Sequence, residues 1–391
     1  MTLTAEQRAV RDTVLEFARE EIRPTARKAD ELQEFPEEVW DGLADLDLTG
    51  LTVPAEYGGY DADSVTASVV NEAVAYGSLA VATALSVHSL ATSCLANFAS
   101  EDLRERWLPE MAAGRPVGAF ALSEPHAGSN PAAMTTEARP VEAGDGEVEC
   151  YEIDGEKQWI TNGSRAGVIV LFAKTDYEDP DSITQFLVPA DVEGLTVGAK
   201  EDKLGLRASD TTSLTYDGVQ IPAENRLTAE GRGLSAAFDV LTGGRIAIAS
   251  QAVGLADCAL DEAIEYVGER EQFGGPIAEI QTVRHKLAEM ATRTEAARRL
   301  VRHAARRRAA GSEDDGAGGG AVPGAMEASM AKYLASETAM HVTNEAVQLH
   351  GGYGYVTEFD VERLYRDAKI TEIYEGTTEI QKTVIARHLL D

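Results

Sequence analysis

Cysteine is scarce in this chain of 391 residues: Cys94, Cys150 and Cys258 lie far apart, with no paired spacing. Neither a disulfide framework nor a metal site is expected, and a reducing compartment fits. Basic residues are few as well, 35 Lys and Arg against 66 Asp and Glu, for a formal net charge of −31. A surface this acidic repels phosphates, which argues against a nucleic-acid partner. The carboxylates are spread along the chain rather than gathered in a tail, as in a solvated acidic coat of the halophilic type. No uninterrupted run of about 18 apolar residues occurs, so no membrane insertion is expected. Met1-Thr2-Leu3-Thr4 leads straight into amphipathic helix without a charged-then-apolar leader, and the expected location is cytoplasmic. A repeat of solenoid period is also missing.

What is present is enough apolar residue, 44%, for a sizeable core, in a chain long enough for two or three domains. The first third reads as helix. Thr4 and Gln7 form a capping-box pair, and Val10, Val14 and Phe17 recur at helical spacing until Pro24, where the run is expected to stop. A second helix starts near Pro36, 64–98 reads as buried helix, and Ser100 caps one more that ends at Gly114. From Val117 to Leu227 short β-type runs take over. Asp154-Gly155 and Asp217-Gly218 lie between alternating segments, a hairpin signal. After Gly231 long helices return, 238–267 and 280–309, then a glycine-rich acidic interruption at 311–324 and helix at 325–349. The expected architecture is α+β in three parts: an all-α domain at 1–116, a middle antiparallel β-barrel or sandwich at 117–228, and a C-terminal four-helix bundle at 229–391.

Four segments have a composition that packing alone would not choose. Phe120 to Asn130, Phe-Ala-Leu-Ser-Glu-Pro-His-Ala-Gly-Ser-Asn, offers amides and hydroxyls at a strand end, where an ordinary turn would be the plain reading. Trp159-Ile160-Thr161-Asn162-Gly163 sets an indole, able to stack on a planar ring, beside a hydroxyl; a half-buried strand end would also account for it. Arg270, Gln272, Phe273-Gly274-Gly275-Pro276 and Gln281 place a guanidinium at a helix end, where it can pair with phosphate or simply complement the helix dipole. The glycines here have the wrong spacing for a dinucleotide fingerprint. The fourth segment joins Gln348 to Gly354 with Ile373 to Gln381. Glu372, Glu375 and Glu379 there are spaced as one solvated helix face, but Gly376 interrupts the helix beside Glu375. An aromatic neighbour would raise the pKa of that carboxylate, as a base working near neutrality requires.

Taken together and in this order, Ala121-Leu122-Ser123-Glu124-Pro125, Trp159 to Gly163, Gln348 to Gly352 and Ile373 to Gln381 resemble the acyl-CoA dehydrogenase family over essentially the whole chain. The resemblance implies FAD between the β domain and the C-terminal bundle. Leu122, Ser123, Ser129, Trp159, Ile160 and Thr161 would contact the flavin. Arg270, Gln272, Phe273, Gln281, Gln348, Leu349, Gly351 and Gly352 would contact its adenine and pyrophosphate across a subunit boundary. Thr377, Thr378 and Glu379 return to the cofactor, and a homotetramer built as a dimer of dimers follows. Ser129, Thr242, Arg245, Tyr374, Gly376 and Arg387 match acyl-CoA contacts, and Glu375 matches the catalytic base. Some members carry the base immediately before the arginine that matches Arg245; here that position is Gly244. The implied reaction takes an acyl-CoA to its trans-2-enoyl-CoA, with the thioester oxygen held by the Glu375 amide and a flavin ribityl hydroxyl. Electron-transferring flavoprotein is the implied acceptor. The chain departs from the family pattern at His126, commonly Gly, at Asn130, commonly Asp, and in the length of 311–324. The stretch Gly244 to Gln251 looks like short-chain members. An oxygen-using oxidase or nitroalkane-oxidising relative is the alternative among enzymes. A DNA-binding flavoprotein is the alternative outside them, disfavoured by the charge.

The acidic coat generates a test. Mutual repulsion among the carboxylates is screened by salt, so melting temperature and activity should both rise toward molar salt. A flat or falling profile would assign the charge another purpose.

Overall fold

The computed structural model describes residues 3–144, 146–179, 181–314 and 322–390. Half of the interruption expected at 311–324 lies outside them. The helix before it, Gln281–Asp314, passes through Gly311, and the next begins at Ala325.

The N-terminal capping box forms as its residues dictate, with Gln7 N donating to Thr4 Oγ1 and Thr4 N to Gln7 Oε1. Pro24 does not stop the run. A π-helical turn at Ala18–Ile22 hands over to a further helix, Arg23–Leu32, with Pro24 in its first turn; Arg23 N donates to Ala18 O, so the regular i→i−4 ladder is already interrupted just before the proline. Ser100 stands at the N-cap of Glu101–Ala112 without a side-chain bond to it. Helix Leu79–Phe98 is long and apolar enough by composition to cross a membrane, alone in this among the described residues; most of it is buried inside the chain's own fold.

The β segment comprises β1 (Val117–Ala121), β2 (Glu137–Glu142), β3 (Val148–Thr161), β4 (Ala166–Lys174), β5 (Ile183–Pro189), β6 (Leu195–Val197) and β7 (Thr211–Pro222). They join in the order β1-β4-β2-β3-β7-β6, with β5 on β4. Two expectations need correction. The sheet is not wholly antiparallel, since β1 runs parallel to β4. Neither Asp-Gly pair turns the chain: β3 and β7 run on through them, and Asp154 faces Asp217-Gly218 across a bulge. Gly218 N donates to Asp154 Oδ1 at 2.9 Å, so the pair that signals a turn instead closes a kink. Alternation along β4 sends Val168, Val170 and Phe172 toward helices Leu79–Phe98 and Glu101–Ala112. Ile169, Leu171 and Ala173 face the sheet's own core.

Long helices Gly233–Glu269, Gln281–Asp314 and Ala325–His350 make the C-terminal part, with Thr378–Leu390 packed on the third. Their small residues, Ala249, Ala252, Ala256, Ala328, Ala331 and Ala335, are fully buried and let the axes come close. Helix Ser64–Gly77 packs on the first two, so one apolar cluster runs continuously from Val14 to Ala368.

His88 joins the helical and β parts. Gly118 N in β1 donates to its Nδ1 at 2.9 Å, which leaves Nε2 as the protonated nitrogen donating to Met111 O at 3.0 Å. Asn162 Nδ2 reinforces the joint by donating to Ala84 O and Gly118 O. Burial pushes the imidazole pKa down to about 4 from an ordinary 6.5. As pH falls through that window the unfolded chain binds the proton first, so stability falls with it, by on the order of 1–3 kcal/mol. His88→Gln should be less stable than the parent near neutrality yet lose less melting temperature between about pH 6.5 and 5. Equal losses in the two proteins would remove His88 from the acid limb.

Candidate active site

Two of the segments singled out in the sequence meet at the end of β1 and β3. Gln158 N donates to Ser123 O at 2.9 Å, and Lys157 Nζ donates to Leu122 O at 3.2 Å. Lys157 also donates to Glu124 Oε1 at 2.8 Å in an ion pair with both side chains buried. Glu124 then takes the amides of Thr135 and Thr136 at 2.7 and 3.0 Å, along with both hydroxyls. Burial alone would raise the Glu124 pKa, but the Lys157 charge and these donors hold it down to about 2. Burial pushes Lys157 down to about 8, with Glu124 opposing. The pair clamps the Leu122–Ser129 loop. In it Leu122 is buried, Ser123 half-buried, and Ser129 and Asn130 exposed; exposed His126 lies 3.6 Å from Glu124. Ile160 is buried and Thr161 half-buried, whereas Trp159 sits at φ 65° with 60% of its surface exposed. A non-glycine residue in the left-handed region with an open indole is a flat platform the fold itself does not use.

A second group lines an open cleft of about 600 Å³: Arg270, Gln272, Leu349, Gly351 and Gly352, with Tyr266, His350 and Tyr353. The Arg270 guanidinium lies 5.5 Å from the Tyr353 ring centre, and Tyr266 stacks on His350 at 4.1 Å. Nothing stands within 4 Å of where a Cβ would project at Gly351 or Gly352, so a ligand can approach the backbone. Phe273 is 97% exposed at φ 58°. Gln281 and Gln348 are exposed on their helices. A cation and open glycines suit a diphosphate, and the Trp159 indole suits a planar ring, so these residues fit a flavin dinucleotide. None of β1–β7 contributes a residue to the cleft lining.

The third group surrounds Glu375. The helical spacing of Glu372, Glu375 and Glu379 does not make one face, because Glu375 and Gly376 both adopt left-handed backbone, φ 53° and 89°. Glu379 and Arg387 stand on exposed parts of the last helix, outside this pocket, while Thr377 is half-buried and Thr378 buried at its start. Gln381 Nε2 donates to Glu375 O at 3.2 Å and Gly376 O at 2.8 Å. The carboxylate turns inward, where Oε2 is buried without a hydrogen-bond partner. A Cβ on Gly244 would lie 2.9 Å from that oxygen and 3.3 Å from Leu90, so the absence of a side chain at 244 makes its space. Burial pushes the Glu375 pKa up to about 7, against the opposing charges of Arg245 and Lys332. Arg245 is buried, its Nε unpartnered, and burial lowers its own pKa while Glu375 opposes. The Tyr374 hydroxyl lies 3.3 Å from Thr83 Oγ1, and Thr242 Oγ1 donates to Phe238 O. A desolvated carboxyl titrating near neutrality, with cations nearby, can accept a proton from carbon.

Models of the acyl-CoA dehydrogenase N-terminal, middle and C-terminal domains match residues 4–115, 119–219 and 231–390. This chain belongs to the acyl-CoA dehydrogenase family. It is 42% identical to an acyl-CoA dehydrogenase of Bacillus subtilis (strain 168), with 100% of this chain and 99% of that one covered. The short-chain specific acyl-CoA dehydrogenase of rat mitochondria is 41% identical, over 97% of this chain and 89% of the relative. Butyryl-CoA dehydrogenase from Megasphaera elsdenii superposes with a TM-score of 0.93 at 37% identity, both chains fully covered. A chain solved with the electron transferring flavoprotein of Acidaminococcus fermentans gives the same TM-score and identity, over 100% and 99%. A glutaryl-CoA dehydrogenase from Mycobacterium smegmatis in complex with FADH2 gives 0.88 at 31%, over 99% and 95%. The chain is thus an oxidoreductase of a FAD-dependent family.

Sequence reading passed over three residues here. Lys157 reads as one more charge in a strand and Glu124 as a turn residue, and only the fold pairs them. Lys332 had a signal, a lysine amid the apolar spacing of Ala328, Ala331 and Ala335. Lys157→Met strands a buried carboxylate and should cost about 3–5 kcal/mol, whereas Glu124→Gln with Lys157→Met should recover a good part of it. Thermal denaturation of the FAD-loaded proteins reads this; equal losses in single and double variants would show that the pair is not the clamp.

Proposed function

We propose that this acyl-CoA dehydrogenase removes the α-proton of an acyl-CoA thioester with Glu375, forming the trans-2-enoyl-CoA. The observation that carries the reading is the inward Oε2 of Glu375, desolvated, unpartnered and facing the space left by Gly244. A carboxylate in water would be too weak a base; burial strengthens it, and the nearby cations keep it ionisable near neutral pH. Arg245, Thr242, Tyr374 and Gly376 bound the acyl thioester, with Ser129 and Arg387 toward the CoA portion. The Glu375 amide, in the left-handed turn, is the protein's donor to the thioester oxygen. FAD bound against Trp159, Thr161 and the Leu122–Ser129 loop supplies the acceptor for the β-hydrogen as hydride. Thr377, Thr378 and Glu379 complete that side.

The cleft carrying Arg270, Gln272, Leu349, Gly351 and Gly352, with Phe273, Gln281 and Gln348 at its edges, receives the adenine and diphosphate of FAD bound to a second subunit. The absence of any β1–β7 residue from its lining supports this reading, as does the exposure of Phe273. A homotetramer, electron-transferring flavoprotein as acceptor and a cytoplasmic setting complete the proposal. Buried Gln251, two helical turns beyond Gly244, holds Asn71 and receives the Tyr374 hydroxyl at 3.5 Å. A polar amide so near Tyr374 favours a short acyl chain.

Glu375→Gln keeps shape and hydrogen bonding but removes the base. FAD should stay bound, acyl-CoA should still perturb the flavin spectrum, and anaerobic bleaching should slow by roughly a hundredfold or more. In the parent, the bleaching rate should climb as pH rises through about 7, where Glu375 loses its proton. Glu372→Gln should bleach at a rate close to the parent's. Similar rates in the two variants would make Glu375 an ordinary side chain.

A further inference from the structure

Beyond the base itself, the segment that carries it needs explaining. A glutamate in the left-handed region is costly, although the glycine after it is not, and such a turn persists only where its surroundings fix it. Two side chains do so. Gln381 reaches back from the following helix, and Lys332 reaches across from Ala325–His350 to donate Nζ to Gly376 O at 2.7 Å. Lys332 is completely buried on a helix face otherwise made of alanine and serine. A hydrogen bond to a carbonyl does not by itself require a buried charge, which a shorter amide side chain would avoid at much lower desolvation cost.

We propose that Lys332 is a positioning residue for the base, holding the Glu375–Gly376 turn through the Gly376 carbonyl and setting a buried positive charge beside the Glu375 carboxylate. This rests on Glu375 being the base. The groups that act on the pair are few. Arg245 comes from helix Gly233–Glu269, Glu372 from the turn before Glu375 and Glu379 from the helix after it; Tyr374 adjoins the base in sequence. Of these, Arg245 and Lys332 supply the positive charge that opposes the rise of the Glu375 pKa. Burial pushes Lys332 down to about 8, with Glu375 opposing most strongly, so the ammonium is still charged while Glu375 titrates. Without that charge the carboxylate would bind its proton more tightly, and a smaller fraction would be free to act at neutral pH.

The test is the pH profile of anaerobic flavin reduction by an acyl-CoA in FAD-loaded parent, Lys332→Met, Lys332→Gln, Lys332→Arg and Glu375→Gln. A parallel infrared titration follows the protonated-carboxyl band that Glu375→Gln removes. Lys332→Met should move both midpoints up by about one pH unit or more, slowing reduction near pH 7 about tenfold, with partial recovery at high pH. Lys332→Arg, which keeps the charge, should hold both midpoints close to the parent's. If Lys332→Met does not fold, Lys332→Gln, which keeps a donor for Gly376 O, carries the decision and should show the same upward shift. Unmoved midpoints in whichever of these variants folds, whatever happens to rate or melting temperature, would overturn the assignment. An undiminished rate in Glu375→Gln would instead sink the base itself.

Discussion

A carboxylate taken out of water must be held by something other than water, and around Glu375 that requirement brings distant parts of the chain together. Gly244 on the first long C-terminal helix yields space, Arg245 beside it yields charge, Lys332 on the third helix reaches the following carbonyl, and Gln381 ties down the turn from the last. None of these residues is close to another in sequence except Gly244 and Arg245. The site exists only where the helices have already packed, and their alanine-rich faces set how closely the groups approach.

The same economy of buried charge recurs away from the site. Arg298 and Arg302 reach Glu72 at 3.0 and 2.8 Å, and Arg298 also pairs with Asp257 and Glu295. Arg366 pairs with Asp30 and Glu362. These arginines carry acidic helices through the interior of a chain with far more acids than bases. The carboxylates that stay exposed are governed by screening instead.

Much of the fold was legible because its signals are local. A capping box is a matter of two side chains and their own amides, so Thr4 and Gln7 give it away. Hydrophobic periodicity marks the helices for the same reason. Pro24 misleads because proline forbids a helix interior but suits a first turn, and whether a π-turn resets the count is not written nearby. Asp154-Gly155 and Asp217-Gly218 mislead more instructively. Each has the conformational freedom of a turn, but the two meet across strands, and the pairing spends that freedom on a bulge. At the site, Glu375 stood out through Gly376, a local break. Lys332 and Glu124 did not, because their meaning lies in what they meet: Gly376 O for one, Lys157 for the other.

The apolar cluster that runs from Val14 to Ala368 has a consequence for how the chain comes to be folded. Helices Ser64–Gly77 and Leu79–Phe98 bury faces against Gly233–Glu269, which is synthesised well over a hundred residues later. Until that helix leaves the ribosome, the early helices have no lasting cover for surfaces such as Val70, Val74 and Leu85. The β strands in between can close their own core first. Chain order and folding order therefore diverge: the first part made is among the last to settle, and it is the part most in need of chaperone shelter during synthesis.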